Sequence, residues 1–190
     1  LLEESLCKWF AKKIGFNDLS GGIAASGGTL SNLNALIAAR NNAGLATNPN
    51  SVLLVSEDAH SSFVKCIRVM GLDTTNLVRI KTDNQGRMDI NDLRKSLDKC
   101  SIENKKIFAI VATLGTTVRG AIDPIKEISE ICKERNIWLH IDGSIGGIFA
   151  VTSIPIKGLN NINQANSITI NPQKIIGITK TSSLLLVSNM

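Results

Sequence analysis

With 190 residues, 43% of them hydrophobic and 19% charged, the chain can bury one sizeable core and falls outside the composition of disordered sequences. Its net charge of +5 comes from scattered basic residues, often beside acids as in Lys133-Glu134-Arg135, and there is no tyrosine, so nucleic-acid binding finds little support. No apolar run reaches the roughly 18 residues that would predict a membrane span.

Leu1 to Cys7 carries two glutamates and no basic cluster, so no secretory leader is visible. Glu3 to Lys13 already reads as helix interior, and a chain opening there at Leu1 is expected to be a fragment of a longer one. Leu30, Leu33 and Ile37 recur at helical spacing between Thr29 and Ala43, with Gly44 placed to stop that helix. Ser51 to Ser56 predicts a buried strand, and Phe63, Ile67 and Met70 mark a helix ending at Gly71. A strand over Leu77 to Ile80 precedes a helix capped by Asp89, with the apolar stripe Ile90, Leu93 and Leu97.

Ile107 to Ala112 is the most strand-like run in the chain. Asp123-Pro124 predicts a helix start, the acid as cap and the proline at the first position, with Ile125, Ile128, Ile131 and Cys132 on its buried side. Ile137 to Ile141, Ser167 to Ile170 and Leu184 to Val187 complete the predicted strands. Strands alternating with amphipathic helices predict an α/β fold: one domain with a mainly parallel sheet covered by helices on both faces. Cys7, Cys66, Cys100 and Cys132 form no C-x-x-C pair, so reduced thiols on helix faces, no metal site and a cytoplasmic setting are expected.

In such sheets ligands bind at the carboxyl ends of strands, beside the N-termini of the following helices. Several chemistry-bearing residues fall there. Two glycines in Ser26-Gly27-Gly28-Thr29 allow close backbone approach, and the helix behind them offers unpaired N–H groups to a phosphate. The same turn can serve as plain structure; it is neither a Walker loop nor G-x-G-x-x-G. His60 follows the strand ending at Ser56, where it either faces a ligand or caps the next helix. His140 lies within a strand and reads as structural. Thr113 to Thr117 follows a strand as a ligand-facing turn or simply a turn. Asp142 ends another strand, ahead of Gly143-Ser144-Ile145-Gly146-Gly147, and needs a cationic partner or solvent because burying an unpaired charge is costly. Lys174, in Asn171-Pro172-Gln173-Lys174, would alone be an exposed lysine, but five features converge on one sheet edge.

Taken in order, SGGTLSNLNALIAAR, SEDAHSSF, ATLGTTVRGAIDPI, IWLHIDGSIGG and ANSITINPQK resemble the group II amino-acid decarboxylases that depend on pyridoxal 5'-phosphate (PLP). That family comprises glutamate, aromatic amino-acid, cysteine-sulfinate and diaminobutyrate decarboxylases, and the resemblance runs from end to end of the chain. It implies that residues 1–190 are the PLP-binding large domain of a fold-type I enzyme, with the N-terminal arm and C-terminal part outside it. It further implies decarboxylation of an L-amino acid, and a homodimer in the full-length form. By resemblance, Lys174 forms the Schiff base with PLP, Asp142 pairs with the pyridine nitrogen and His60 stacks on the ring. Gly28 and Thr29 bind the phosphate with Asn171 beside them, Thr117 supplies a second hydroxyl, and Ser144 belongs with the cofactor contacts.

The chain departs from the family in places. The family commonly has Asp-Ala-Ala where Asp142-Gly143-Ser144 stands, a change among small residues expected to preserve the pocket. It commonly has a histidine before the lysine, where Gln173 is polar but cannot act as a charged imidazole. The family's C-terminal part carries a mobile catalytic loop and contacts to the substrate carboxylate. The alternatives are therefore a truncated remnant or subunit that binds PLP without turnover, or another PLP carbon–carbon lyase such as a sphingosine-phosphate-lyase-like enzyme. Against a nucleotide-binding α/β domain stands the absence of its fingerprints.

Overall fold

A computed structural model of the chain describes residues 2–152, 154–156, 158–179 and 182–190. Helix α1 (Leu2–Lys13) turns Cys7, Phe10 and Ala11 inward at helical spacing. Strand β1 (Gly21–Ala25) leads through a glycine turn into α2 (Gly28–Asn42), followed by β2 (Ser51–Ser56), α3 (Ser62–Val69) and β3 (Leu77–Ile80). Then come α4 (Ile90–Ile102), β4 (Lys106–Thr113), α5 (Ile125–Arg135), β5 (Trp138–Gly143), β6 (Ser167–Ile170), the single turn α6 (Pro172–Ile175) and β7 (Ser183–Val187). All the strands join one 7-stranded sheet in the order β1-β7-β6-β5-β4-β2-β3. From β6 to β3 every pairing is parallel, while β7 runs antiparallel to both neighbours.

Alternation along the buried strands divides the core in two. Val52 and Leu54 of β2, Ile110 and Ala112 of β4, and Leu139 and Ile141 of β5 pack in one cluster with α1, α4 and α5. Leu53, Val55 and Val111 pack on the opposite face with Leu36 and Ala39 of α2 and Phe63 and Ile67 of α3. Val52 pairs with Ile107 but Leu53 with Ala109, so Phe108 is the extra residue of a bulge and joins the α2–α3 layer. The mainly parallel sheet with helices on both faces matches the expectation from the sequence. Asp89 caps α4 as predicted, its carboxylate accepting from the N–H groups of Asn91 at 2.7 Å and Asp92 at 3.3 Å.

Two segments depart from that expectation. Gly-Gly-Ile-Ala-Ala has no β-branched run, yet it forms β1 because β7 pairs with it from Gly21 opposite Val187 to Ala25 opposite Ser183. Glycine is needed at position 22, where a Cβ would overlap the carbonyl oxygen of Leu185. Asp123 does not cap α5, whose cap position is taken by Pro124. Its buried carboxylate instead accepts from the N–H groups of Met88 and Thr113, each at 2.7 Å, and so ties the end of β4 to the turn before α4. Burial pushes this carboxyl up to about 6, outweighing the opposite pull of the two N–H groups.

The four cysteines are buried and unpaired, on α1, α3, α4 and α5. Burial pushes the thiols of Cys66 and Cys132 up to about 11 and about 12, which makes them poor nucleophiles. Among the described residues no helix is long and apolar enough to cross a membrane, and no group of His, Cys, Asp and Glu could hold a metal ion.

Candidate active site

The carboxyl ends of β4, β5 and β6 and the N-terminus of α2 open onto one cleft of about 560 Å³. Every site residue singled out in the sequence lines it: Gly28, Thr29, His60, Thr117, Asp142, Ser144, Asn171 and Lys174.

Gly28 and Thr29 form the first turn of α2, ahead of the bonds that Leu30 and Ser31 make to the Gly27 carbonyl, so their N–H groups have no partner within the helix. A Cβ at position 28 would lie 2.6 Å from Ser144 Oγ and 3.5 Å from Asn171 Nδ2. The helix N-terminus, a hydroxyl and an amide thus converge on one small space. That arrangement suits an anion.

Asp142 is the last residue but one of β5 and is buried. Its Oδ2 accepts from Asn32 Nδ2 at 3.0 Å and its Oδ1 from the Ser144 N–H at 3.1 Å. These hydrogen bonds come from neutral donors within the described residues, where the sequence pointed to a cation or to solvent. His60 is exposed, and its Nδ1 accepts the N–H of Ser62 at 3.2 Å, so one ring both caps the start of α3 and lines the cleft. Thr117 sits exposed on the rim, in a loop closed by the Ala121 N–H donating to Thr116 Oγ1 at 3.0 Å and begun by the Leu114 N–H donating to Asp142 O at 2.9 Å. Lys174 is exposed on α6, which Pro172 starts directly after β6.

Several lining groups are buried without a partner among the described residues: Ser62 Oγ, Thr113 Oγ1 and Asn171 Oδ1. Buried polar atoms are rarely left so unless a ligand or water completes them. The cleft therefore suits a polar ligand with an anionic end at α2.

Asn32 and Ser62 also line the cleft and were given no role in the reading of the motifs. Asn32 was within reach of the sequence, since it stands one helical turn after Thr29 and shares its face. Ser62 carried no signal beyond its place next to a strand end.

A family model described as the pyridoxal-dependent decarboxylase conserved domain matches residues 1–190. An aromatic-L-amino-acid decarboxylase of Bacillus atrophaeus is 32% identical over 173 residues, covering 91% of this chain and 36% of the relative. The acidic amino acid decarboxylase GADL1 of Mus musculus is 34% identical over 196 residues, covering 100% of this chain and 36% of the relative. Among solved structures, mouse CSAD in apo form superimposes with a TM-score of 0.92 at 29% identity, over 100% of this chain and 41% of that one. The glutamate decarboxylase domain of a Vibrio parahaemolyticus diaminobutyrate enzyme gives a TM-score of 0.93 at 27% identity, over 99% of this chain and 44% of that one. The chain thus spans 36% of the length of these curated relatives.

Proposed function

The chain belongs to the pyridoxal-dependent decarboxylase family, and from that membership we propose that residues 1–190 are the cofactor-binding unit of an L-amino-acid decarboxylase that uses PLP. The observation that carries this proposal is the meeting, around one cleft, of an amine (Lys174), a buried carboxylate (Asp142), an imidazole (His60) and a helix N-terminus.

The residues present fit PLP. Lys174 would hold it through a Schiff base, and the N–H groups of Gly28 and Thr29, with Asn171 and Ser144, would hold its phosphate. Asp142 would face the ring nitrogen, His60 the ring face, and Thr117 would add a hydroxyl at the rim. When bound, PLP supplies a ring that takes up the electron pair released as carbon dioxide leaves the amino acid. The protein's part is to fix that ring against the substrate and to keep a carboxylate at its nitrogen.

A second reading, a unit that binds PLP without turnover of its own, is favoured by the exposure of Lys174 and His60. Chemistry at such open positions is not shielded from water by this chain alone. We extend the proposal to a homodimer of the intact protein and to a cytoplasmic setting. Exposed apolar side chains, Leu30 and Ile37 on α2 and Ile175, Ile176 and Ile178 after β6, support burial against further protein.

The test is incubation with PLP, borohydride reduction and peptide mapping. The cofactor mass is expected on the peptide carrying Lys174, with a visible absorbance band that Lys174→Ala abolishes. An adduct spread over other lysines and unchanged in Lys174→Ala would defeat the assignment. Carbon dioxide release from amino acids then separates the two readings.

Gly28→Ala gives a further prediction. The added methyl would sit 2.6 Å from Ser144 Oγ, inside the space assigned to the phosphate. PLP affinity is expected to fall at least about tenfold in a binding titration, a loss of about 1.4 kcal/mol, with the far-UV circular dichroism unchanged. Undiminished affinity would move the phosphate away from α2.

A further inference from the structure

Behind Asp142 lies a line of polar side chains that runs along the α2 face of the sheet. Trp138 Nε1 is 2.9 Å from Ser167 Oγ, and Ser167 Oγ is 2.8 Å from His140 Nδ1. His140 Nε2 is 3.0 Å from Asn32 Oδ1, and Asn32 Nδ2 is 3.0 Å from Asp142 Oδ2. Ser167, His140, Asn32 and Asp142 are all buried. The strands explain the alignment: His140 and Asp142 are two apart on β5, so they share a sheet face, and Ser167 is paired with His140 across to β6.

The carboxylate end, together with a neutral imidazole, fixes the direction of every bond in the line. An indole N–H can only donate, so Ser167 Oγ accepts from Trp138 and has its own proton free for His140 Nδ1. The ring proton of His140 then sits on Nε2 and goes to Asn32 Oδ1, the acceptor end of that amide. From the other side, a carboxylate can only accept, which turns Asn32 Nδ2 toward Asp142 and Oδ1 toward His140. The carboxylate end requires this arrangement, and the indole end is compatible with it.

We propose that Asn32, His140 and Ser167 are positioning residues acting through Asp142: a one-way series of hydrogen-bond donors that ends on Oδ2 and holds the carboxylate in place for the cofactor's ring nitrogen. Each donor polarises the next, so the bond arriving at Asp142 is stronger than an isolated amide would give. The series needs a neutral imidazole. Burial supplies this by pushing His140 below its ordinary value, against the opposing pulls of Asp142 and of the Ser167 backbone carbonyl. His140 is thus more than the structural strand residue that the sequence suggested. The role at the ring nitrogen rests on the PLP proposal; the direction of the hydrogen bonds does not.

The test has a cofactor-free arm and a loaded arm. In the chain without PLP, ¹⁵N NMR of the imidazole is expected to show His140 as the Nε2–H tautomer through neutral pH. Asn32→Leu, which removes the acceptor, is expected to move the proton to Nδ1. An Nδ1–H tautomer or an imidazolium in the unsubstituted protein overturns the proposal without any variant. With PLP labelled at the pyridine nitrogen, Asn32→Leu and His140→Leu should shift the ¹⁵N resonance toward unprotonated pyridine. Both should also weaken binding about tenfold, the loss of one hydrogen bond to a charged group.

His140→Gln keeps a donor facing Asn32 and should restore both readouts. A merely structural role would lower the melting temperature and leave both resonances where they are, which overturns the proposal. If Asn32→Leu fails to fold, Ser167→Ala at the far end of the series takes its place, with loss of the single tautomer as the expected result. Should PLP fail to bind at all, the proposed function falls while the tautomer still decides the wiring.

Discussion

Asp142→Asn is expected to weaken PLP binding by about 100-fold while the chain stays folded, as read by absorbance titration beside circular dichroism. The two side chains have the same shape, so the change isolates charge and donor pattern. Both oxygens of Asp142 accept, one from Asn32 Nδ2 and one from the Ser144 N–H. An asparagine has a single acceptor, and in either orientation its Nδ2 meets one of those donors. Asn32 cannot turn to relieve the conflict, because its Oδ1 lies against His140 Nε2 at 3.0 Å. Losing the ionic partner at the ring nitrogen and one neighbouring hydrogen bond together costs about 3 kcal/mol. Asp142→Ala removes the charge without introducing the wrong donor. Equal losses in the two variants would assign the effect to charge, and a larger loss in the asparagine to the donor conflict. Unchanged affinity in Asp142→Asn would remove Asp142 from the cofactor contacts.

Much of this site was legible in the sequence because strand ends and helix starts are punctuated by residue type. Apolar runs that stop at Ser56, Thr113, Asp142 and Asn171 mark the productive edge, and the residues just beyond them line the cleft. Long-range pairing is what a local pattern cannot show. Gly-Gly-Ile-Ala-Ala becomes a strand only because β7 lies beside it, and the run Leu184 to Val187 does not reveal that β7 is antiparallel. Asp123 followed by proline carries every mark of a helix cap, yet its partners are N–H groups 10 and 35 residues away. The same limit hid the function of Asn32, since a polar residue within a helix gives no sign that it touches a strand 110 residues later.

Asp123→Asn is expected to be more destabilising in mild acid than at neutral pH, the reverse of the usual behaviour for a carboxylate engaged in native hydrogen bonds. The carboxyl is lifted to about 6 in the folded chain, from its ordinary value of 3.8. A raised group contributes stability that is fully present below the unfolded value and is lost as pH rises through the folded one. Wild-type stability therefore carries an Asp123 contribution that declines between those two values, by about 3 kcal/mol in all and by about 2 kcal/mol between about pH 4.5 and about pH 7.5. The asparagine does not titrate, so the difference between the two proteins should shrink by that amount over the same interval. A pH-independent cost remains, because the amide offers one acceptor where Met88 and Thr113 present two N–H donors. Leaving one of those donors unsatisfied costs about 1–3 kcal/mol. Urea titrations of both proteins across this range measure the difference directly. A gap that widens toward neutral pH would show that the two N–H groups prevail over burial and that the carboxyl ionises below its ordinary value. Either outcome bears on the cleft, because Asp123 accepts from the backbone N–H of Thr113, a lining residue.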